Sequence, residues 1–241
     1  MRKGGLDVRL DKLLAGAGLS RSQARRAVAA GRVRVRGELA RDAGLHAESA
    51  DVLFDGQPLA SPGEVYVMLH KPAGVLSAVR DAREKTAFDL LDAAVRAKTP
   101  SPVGRLDRDV TGLLLFTSDG ELLHRLISPR YEVEKIYEAR VEGTPDADDA
   151  RALAQGVRLS DFVARPARLE VVSPGLIRLC VTEGKYHQVK RMLAAVGHPV
   201  TALKRLSVGG VALDEALLPG QSRPLSGAEI SALRRLVRLE D

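Results

Sequence analysis

The feature that most limits what this chain can fold into is Gly104-Arg105-Leu106-Asp107-Arg108-Asp109-Val110-Thr111-Gly112, running straight into Leu113-Leu114-Leu115-Phe116. Two aspartates and two arginines crowd a short polar turn, and four large apolar residues follow without a break. That run is too short to cross a membrane and reads as a buried strand. Gly104 and Gly112 bracket the turn, which points to close backbone approach or to dihedrals that side chains resist. A carboxylate is therefore expected at the mouth of a buried strand, with guanidinium groups near it. A neighbouring cation keeps such a carboxylate ionised, as a nucleophile must be. The same pattern also suits a loop in which Asp107 or Asp109 only hydrogen-bonds its own backbone.

The 241 residues allow one or two domains with a real core. No apolar run reaches membrane length and no signal-peptide core opens the chain, so a cytoplasmic protein with no membrane partner is expected. The single cysteine, Cys180, lies in an apolar run, reads as an inert buried thiol and excludes a disulfide framework. The formal net charge of +6 favours a polyanionic partner. Its distribution is more telling, because residues 1–41 hold 11 Lys/Arg against Asp7, Asp11 and Glu38. With four tyrosines, four phenylalanines and no tryptophan, a surface built mainly on base stacking is not expected.

Apolar spacing predicts a helix over 9–18, and Ser20 with Gln23 forms a capping box for a second helix that Gly31 ends. Arg21, Arg25 and Arg26 lie close together on that helix. The alternation Arg32-Val33-Arg34-Val35-Arg36 then puts arginines on one face of a strand. Converging arginines on two short elements suit phosphate contacts. Asp55-Gly56 makes a hairpin turn, and 60–64 reads as a linker separating domains 1–60 and 61–241. Beyond it, 65–69 reads as a strand whose terminal Lys71 is either a surface lysine or faces a cleft. Helices are expected over 86–97 and 121–127, and strands over 131–141 and on both sides of Ser173-Pro174-Gly175. Asp146, Asp148 and Asp149 sit at a helix start, where the dipole favours negative charge. No His or Cys accompanies them, so no metal is expected. In Glu183-Gly184-Lys185-Tyr186-His187-Gln188-Val189-Lys190-Arg191-Met192, the residues Val189, Met192, Leu193 and Val196 form an apolar helical stripe. Lys185, Lys190 and Arg191 fall off the stripe near a helix start, where anions are attracted. Ser226 and Glu229 cap a final amphipathic helix.

Two resemblances rest on these stretches. Arg9-Leu10-Asp11-Lys12-Leu13-Leu14, Leu19-Ser20-Arg21-Ser22-Gln23-Ala24 and Gly31–Gly37 resemble the alpha-L RNA-binding domain of small-subunit ribosomal protein four, over about residues 8–56. Gly104–Leu114 together with Glu183–Met192 resembles the RsuA-type branch of ribosomal RNA pseudouridine synthases, over nearly the whole chain. His70-Lys71-Pro72, Ser128-Pro129-Arg130, Glu134–Tyr137 and Gly209–Asp214 extend that likeness. One departure is Val110, where many relatives carry threonine.

The resemblance implies an α+β protein: a small alpha-L domain in front of a catalytic domain whose mixed, mainly antiparallel sheet is flanked by helices, with the active cleft crossing the middle of that sheet. It implies isomerisation of uridine in ribosomal RNA, or in a ribosomal subunit assembly intermediate, by a monomer without a cofactor. Asp107 matches the catalytic aspartate, Tyr137 the tyrosine against the target base, and Lys190 the basic partner of the aspartate. Arg105 matches an arginine associated with holding the base out of the stack. Leu203 and Lys71 are expected in the substrate pocket. Arg9, Lys12, Arg21, Arg25, Arg26, Arg32, Arg34, Lys185, His187, Gln188 and Arg191 are the expected RNA contacts. The motif around Lys185–Met192 favours a small-subunit target. The alternatives are the same reaction on a large-subunit uridine and a non-catalytic RNA-binding assembly factor.

Overall fold

The computed structural model describes residues 8–17, 19–48, 51–59 and 64–239. The chain divides into two compact units: one runs up to Glu64 and takes in Ala93–Thr99, and the other holds Val65–Asp92 and the chain from Pro100 onward. Of the expected linker, residues 60–63 lie outside the described residues.

In the first unit, β1 (Val8–Arg9) leads into α1 (Leu10–Gly16), followed by α2 (Arg21–Ala29), β2 (Val33–Val35), β3 (Glu38–Leu39), β4 (His46–Ala47), β5 (Val52–Phe54) and β6 (Gln57–Pro58). The capping box forms as expected, with the Ser20 side chain on the Gln23 N–H and the Gln23 side chain on the Ser20 N–H. Capping satisfies N–H groups that have no partner inside the helix. Leu10 and Leu14 of α1 meet Ala24, Ala27 and Val28 of α2 and Val33 and Val52 of the sheet β3-β2-β5-β6. Asp55 and Gly56, both at positive φ, turn β5 into β6 as the Asp-Gly pair predicts. α3 (Ala93–Ala97) belongs to the Ala93–Thr99 segment.

The second unit is built on a nine-stranded sheet. Its strands are β7 (Tyr66–Lys71), β8 (Ser101–Pro102), β9 (Thr111–Thr117), β10 (Lys135–Val141), β11 (Arg168–Ser173), β12 (Leu176–Val181), β13 (Val200–Val208), β14 (Val211–Ala212) and β15 (Ser222–Pro224). The main order is β11-β12-β10-β13-β9-β7-β15, with β14 on β13 and β8 on β9. Only the β13–β9 pairing is parallel, so the sheet is mixed and mainly antiparallel. Helices α4 (Gly120–Ile127), α5 (Ala147–Gln155), α6 (Gln188–Ala195) and α7 (Gly227–Leu236) complete the unit. Leu113 and Leu115 of β9 pack with Leu122 and Leu126 of α4 and Leu233 of α7, so the apolar run after the polar turn is indeed a core strand.

Several local expectations change. The helix expected over 86–97 is a single 3-10 turn, Phe88–Leu90, followed by the short α3, because Leu91 is extended between them. Thr86 and Asp89 hydrogen-bond each other and tie off that turn. The strand expected from Tyr131 starts only at Lys135: Pro129–Tyr131 is a 3-10 turn and Glu132 is left-handed. Asp146 and Asp149 form a capping box on α5, so these acids serve the helix start. Among the described residues, no group of His, Cys, Asp and Glu could hold a metal ion, and no helix is long and apolar enough to cross a membrane.

Candidate active site

The polar turn lies between β8 and β9, at the centre of the sheet. Gly112 is the second residue of β9, at φ 106°, and a Cβ there would overlap the Arg205 carbonyl oxygen and lie 2.6 Å from the Arg205 amide nitrogen. Only glycine lets β9 run this close to β13. The turn itself is clamped from the β7 side. Ser77 Oγ donates to the Leu106 carbonyl at 2.7 Å and accepts from the Leu106 N–H at 3.0 Å. Gly74 N–H donates to the Arg108 carbonyl at 2.8 Å. Lys71 Nζ donates to the carbonyls of Pro72, Arg108 and Val110 at 2.9, 3.2 and 2.9 Å.

Lys71 is thus neither a surface lysine nor a pocket residue. It is completely buried and braces the loop that presents Asp107, which corrects its expected place in the substrate pocket. Burial pushes its ammonium pKa down to about 8, against the opposing pull of the Asp109 and Asp107 carboxylates.

Asp107 is half-buried and meets two basic groups from the turn and helix at 187–190. Lys190 Nζ is 3.4 Å from one carboxylate oxygen and His187 Nε2 is 3.6 Å from the other. Lys190 also reaches Asp109, with Nζ 2.8 Å from both of its oxygens. One ammonium therefore serves two carboxylates, and its hydrogen bond holds Asp109 below the usual carboxylate range. His187 caps α6 in a left-handed conformation, φ 49°, with no cap hydrogen bond from its side chain. Behind it, Gln188 is buried: its Nε2 donates to Glu183 Oε1 and its Oε1 accepts from the Lys185 N–H. Gln188 hence shapes the turn and does not face RNA, a second correction.

Tyr137 is buried on β10, in register with Arg205 on β13. Arg205 is also buried. Its Nε donates to the Leu113 carbonyl at 2.8 Å, Nη1 donates to the Tyr137 hydroxyl at 3.4 Å, and Nη2 has no hydrogen-bond partner among the described residues. Burying an unpartnered guanidinium nitrogen is costly, which is common where function sets the geometry. The Arg205 charge also helps push Lys71 down, and it adds to the burial that pushes Lys135 to about 8. Leu203 is buried on β13 opposite Ala139, and Arg105 is exposed next to Asp107.

Arg205, Ser77 and the claim of Asp109 on Lys190 were missed in the sequence. A charged residue at the inward parity of the strand 200–208, alongside Leu203 and Ser207, is the one signal that marks Arg205.

The expected RNA contacts of the first unit divide by partner. Arg21, Arg25, Arg26 and Lys12 are exposed. Arg9, Arg25 and Arg41 line a cleft of about 320 Å³ with Asp42. Arg9 is held by Asp11 through two hydrogen bonds, Arg32 by Asp55, and Arg34 donates to the Gly37 carbonyl. In the second unit Lys185 lies 3.9 Å from the Phe162 ring centre, and Arg191 pairs with Asp161.

Known proteins resemble this chain over both units. The S4 domain family matches residues 8–53, and the RNA pseudouridylate synthase family matches residues 65–195. The ribosomal small subunit pseudouridine synthase A of Escherichia coli (strain K12) is 43% identical over 231 residues, covering 94% of this chain and all of that protein. An uncharacterized RNA pseudouridine synthase of Bacillus subtilis (strain 168) is 42% identical over 234 residues, covering 94% and 98%. A crystal structure of a pseudouridylate synthase superposes with a TM-score of 0.69 at 36% identity, over 94% of this chain and 99% of that one. At this identity and coverage the chain belongs to the RNA pseudouridylate synthases, enzymes that isomerise uridine, and carries an S4 domain ahead of the catalytic fold.

Proposed function

We propose that this protein converts a uridine of small-subunit ribosomal RNA to pseudouridine, with Asp107 as the nucleophile. The observation that carries the reading is the Asp107 carboxylate within ion-pair reach of Lys190 and His187, on a loop clamped by Lys71 and Ser77. The reaction breaks the bond from the ribose to a ring nitrogen, turns the base and rejoins it through carbon 5. The carbon 5 proton leaves and the freed ring nitrogen takes one up, so the formula is unchanged, nothing is oxidised and the reaction requires no cofactor. Attack on the sugar and assistance to base departure both need a carboxylate, and Lys190 Nζ stands 3.4 Å from it.

Tyr137 is the group that lies against the base and accepts the proton, with Arg205 holding its hydroxyl. Arginine has no acceptor, so the phenolic oxygen accepts in this pair. Leu203 bounds the pocket, and Arg105 contacts the extruded nucleotide. Extrusion costs a few kcal/mol; contacts between phosphates and Lys12, Arg21, Arg25, Arg26, Lys185 and Arg191 offset it. The small-subunit assignment is supported by relatives of that description matching almost end to end. The protein acts as a cytoplasmic monomer on the RNA or on the assembling subunit.

The test is to map pseudouridines across both ribosomal RNAs from cells with and without the gene. Loss of one site in small-subunit RNA is expected. Loss confined to large-subunit RNA would move the target, and no loss anywhere would remove the function.

A further inference from the structure

We infer that Tyr186 is a stacking platform for a nucleobase that neighbours the target uridine. The inference rests on the pseudouridine synthase reading of the site. Tyr186 is 76% exposed, the most exposed large hydrophobic residue among those described. Its ring stacks on His187 at 3.8 Å between centres and 18° between planes. His187 in turn stands 3.6 Å from the Asp107 carboxylate. An aromatic ring is therefore held flat in solvent one imidazole away from the reacting atoms.

Leaving a tyrosine ring in water forgoes the burial that usually stabilises it. The backbone beneath is specialised too, because His187 is left-handed and the Gln188 amide fixes the turn through Glu183 and Lys185. That rigidity pre-organises the ring. Two basic residues stand beside this turn: Lys185 precedes Tyr186 with its ammonium over the Phe162 ring, and Arg191, paired with Asp161, donates Nη1 to the Tyr186 carbonyl at 3.3 Å. A flat π-face near basic residues, continuous with the nucleophile, fits a base attached to a phosphate backbone. When one nucleotide is extruded, its neighbour loses a stacking partner, and the outer face of Tyr186 replaces it. Tyr186 is thus a positioning residue that reads no sequence, since every base has a π-face.

The chain contains no tryptophan, so Tyr186→Trp introduces a single fluorescent reporter. On binding a small-subunit rRNA transcript, its emission should be quenched, and replacing the base next to the modified uridine with an abasic site should abolish the quench. Tyr186→Ala should raise KM by roughly tenfold with kcat little changed, while Tyr186→Phe keeps native values. The abasic RNA should penalise wild type and cost Tyr186→Ala nothing more. Native KM in Tyr186→Ala, or an unquenched tryptophan in a protein that still makes pseudouridine, would overturn the platform and leave the function standing. A quench by the transcript with no pseudouridine formed by the wild-type protein would remove the function, and with it the target uridine that defines the platform.

Discussion

In the proposed reaction Asp107 acts as a carboxylate. Asp107→Asn removes the charge at almost constant shape, so turnover should be abolished while RNA affinity is kept; tritium release from carbon 5 and filter binding measure the two. Tyr137→Phe keeps the ring and deletes the acceptor of Arg205 Nη1, in a site where Nη2 already lacks a partner. It should cost about 1–3 kcal/mol of stability and slow the reaction, read by thermal melting and single-turnover rates. Unchanged turnover would leave ring contact as the sole role of Tyr137.

Lys71 carries a pH signature. Its ammonium titrates at about 8 when folded against 10.5 in the unfolded chain. Between those values the unfolded state binds more protons, so this group makes stability rise with pH, and below about 8 that contribution levels off. Lys71→Met should reduce the slope in melts run across this window, leaving the part that Lys135, also pushed down to about 8, contributes. It should also lower turnover, because the Arg108 and Val110 carbonyls of the loop lose their donor.

At the scale of elements, the parallel contact of β9 with β13 sets the position of the loop. Gly112→Ala combines a positive φ with overlap against the Arg205 backbone. A loss of at least about 2 kcal/mol is expected, which lowers the melting temperature of this unit by roughly 4–8 °C. Turnover should fall as well, since moving β13 moves Arg205 off Tyr137. The capping boxes at Ser20, Asp146 and Ser226 show what was readable beforehand: partners three residues apart depend on local sequence alone. Only two of the three were foreseen as boxes. The helix expected over 86–97 failed because the Thr86–Asp89 hydrogen bonds and the extended Leu91 override apolar spacing.

For the whole molecule, the basic 1–41 stretch predicts salt-sensitive RNA binding. Arg21, Arg25 and Arg26 are exposed on α2. Replacing all three with alanine should weaken binding at every salt concentration. The slope of log affinity against log salt should shrink by about 0.7–0.9 per lost phosphate contact, roughly two to three in total. An unchanged slope would show that α2 does not face RNA.

From the sequence alone came the α+β class, the capping boxes at Ser20 and Ser226, the core strand after the polar turn, the need for glycine at 112, and Asp107 and Lys190 as partners. Each follows from local periodicity, backbone sterics or a motif that resembles a family. Tertiary structure decided the rest. Lys190 divides itself between Asp107 and Asp109, the latter 81 positions away in the chain. Lys71 became an internal brace, Gln188 turned inward, and Arg205 joined Tyr137 across 68 positions. Hydrogen bonds at such separations depend on which strands the sheet brings side by side, and no pattern read along one strand contains that pairing.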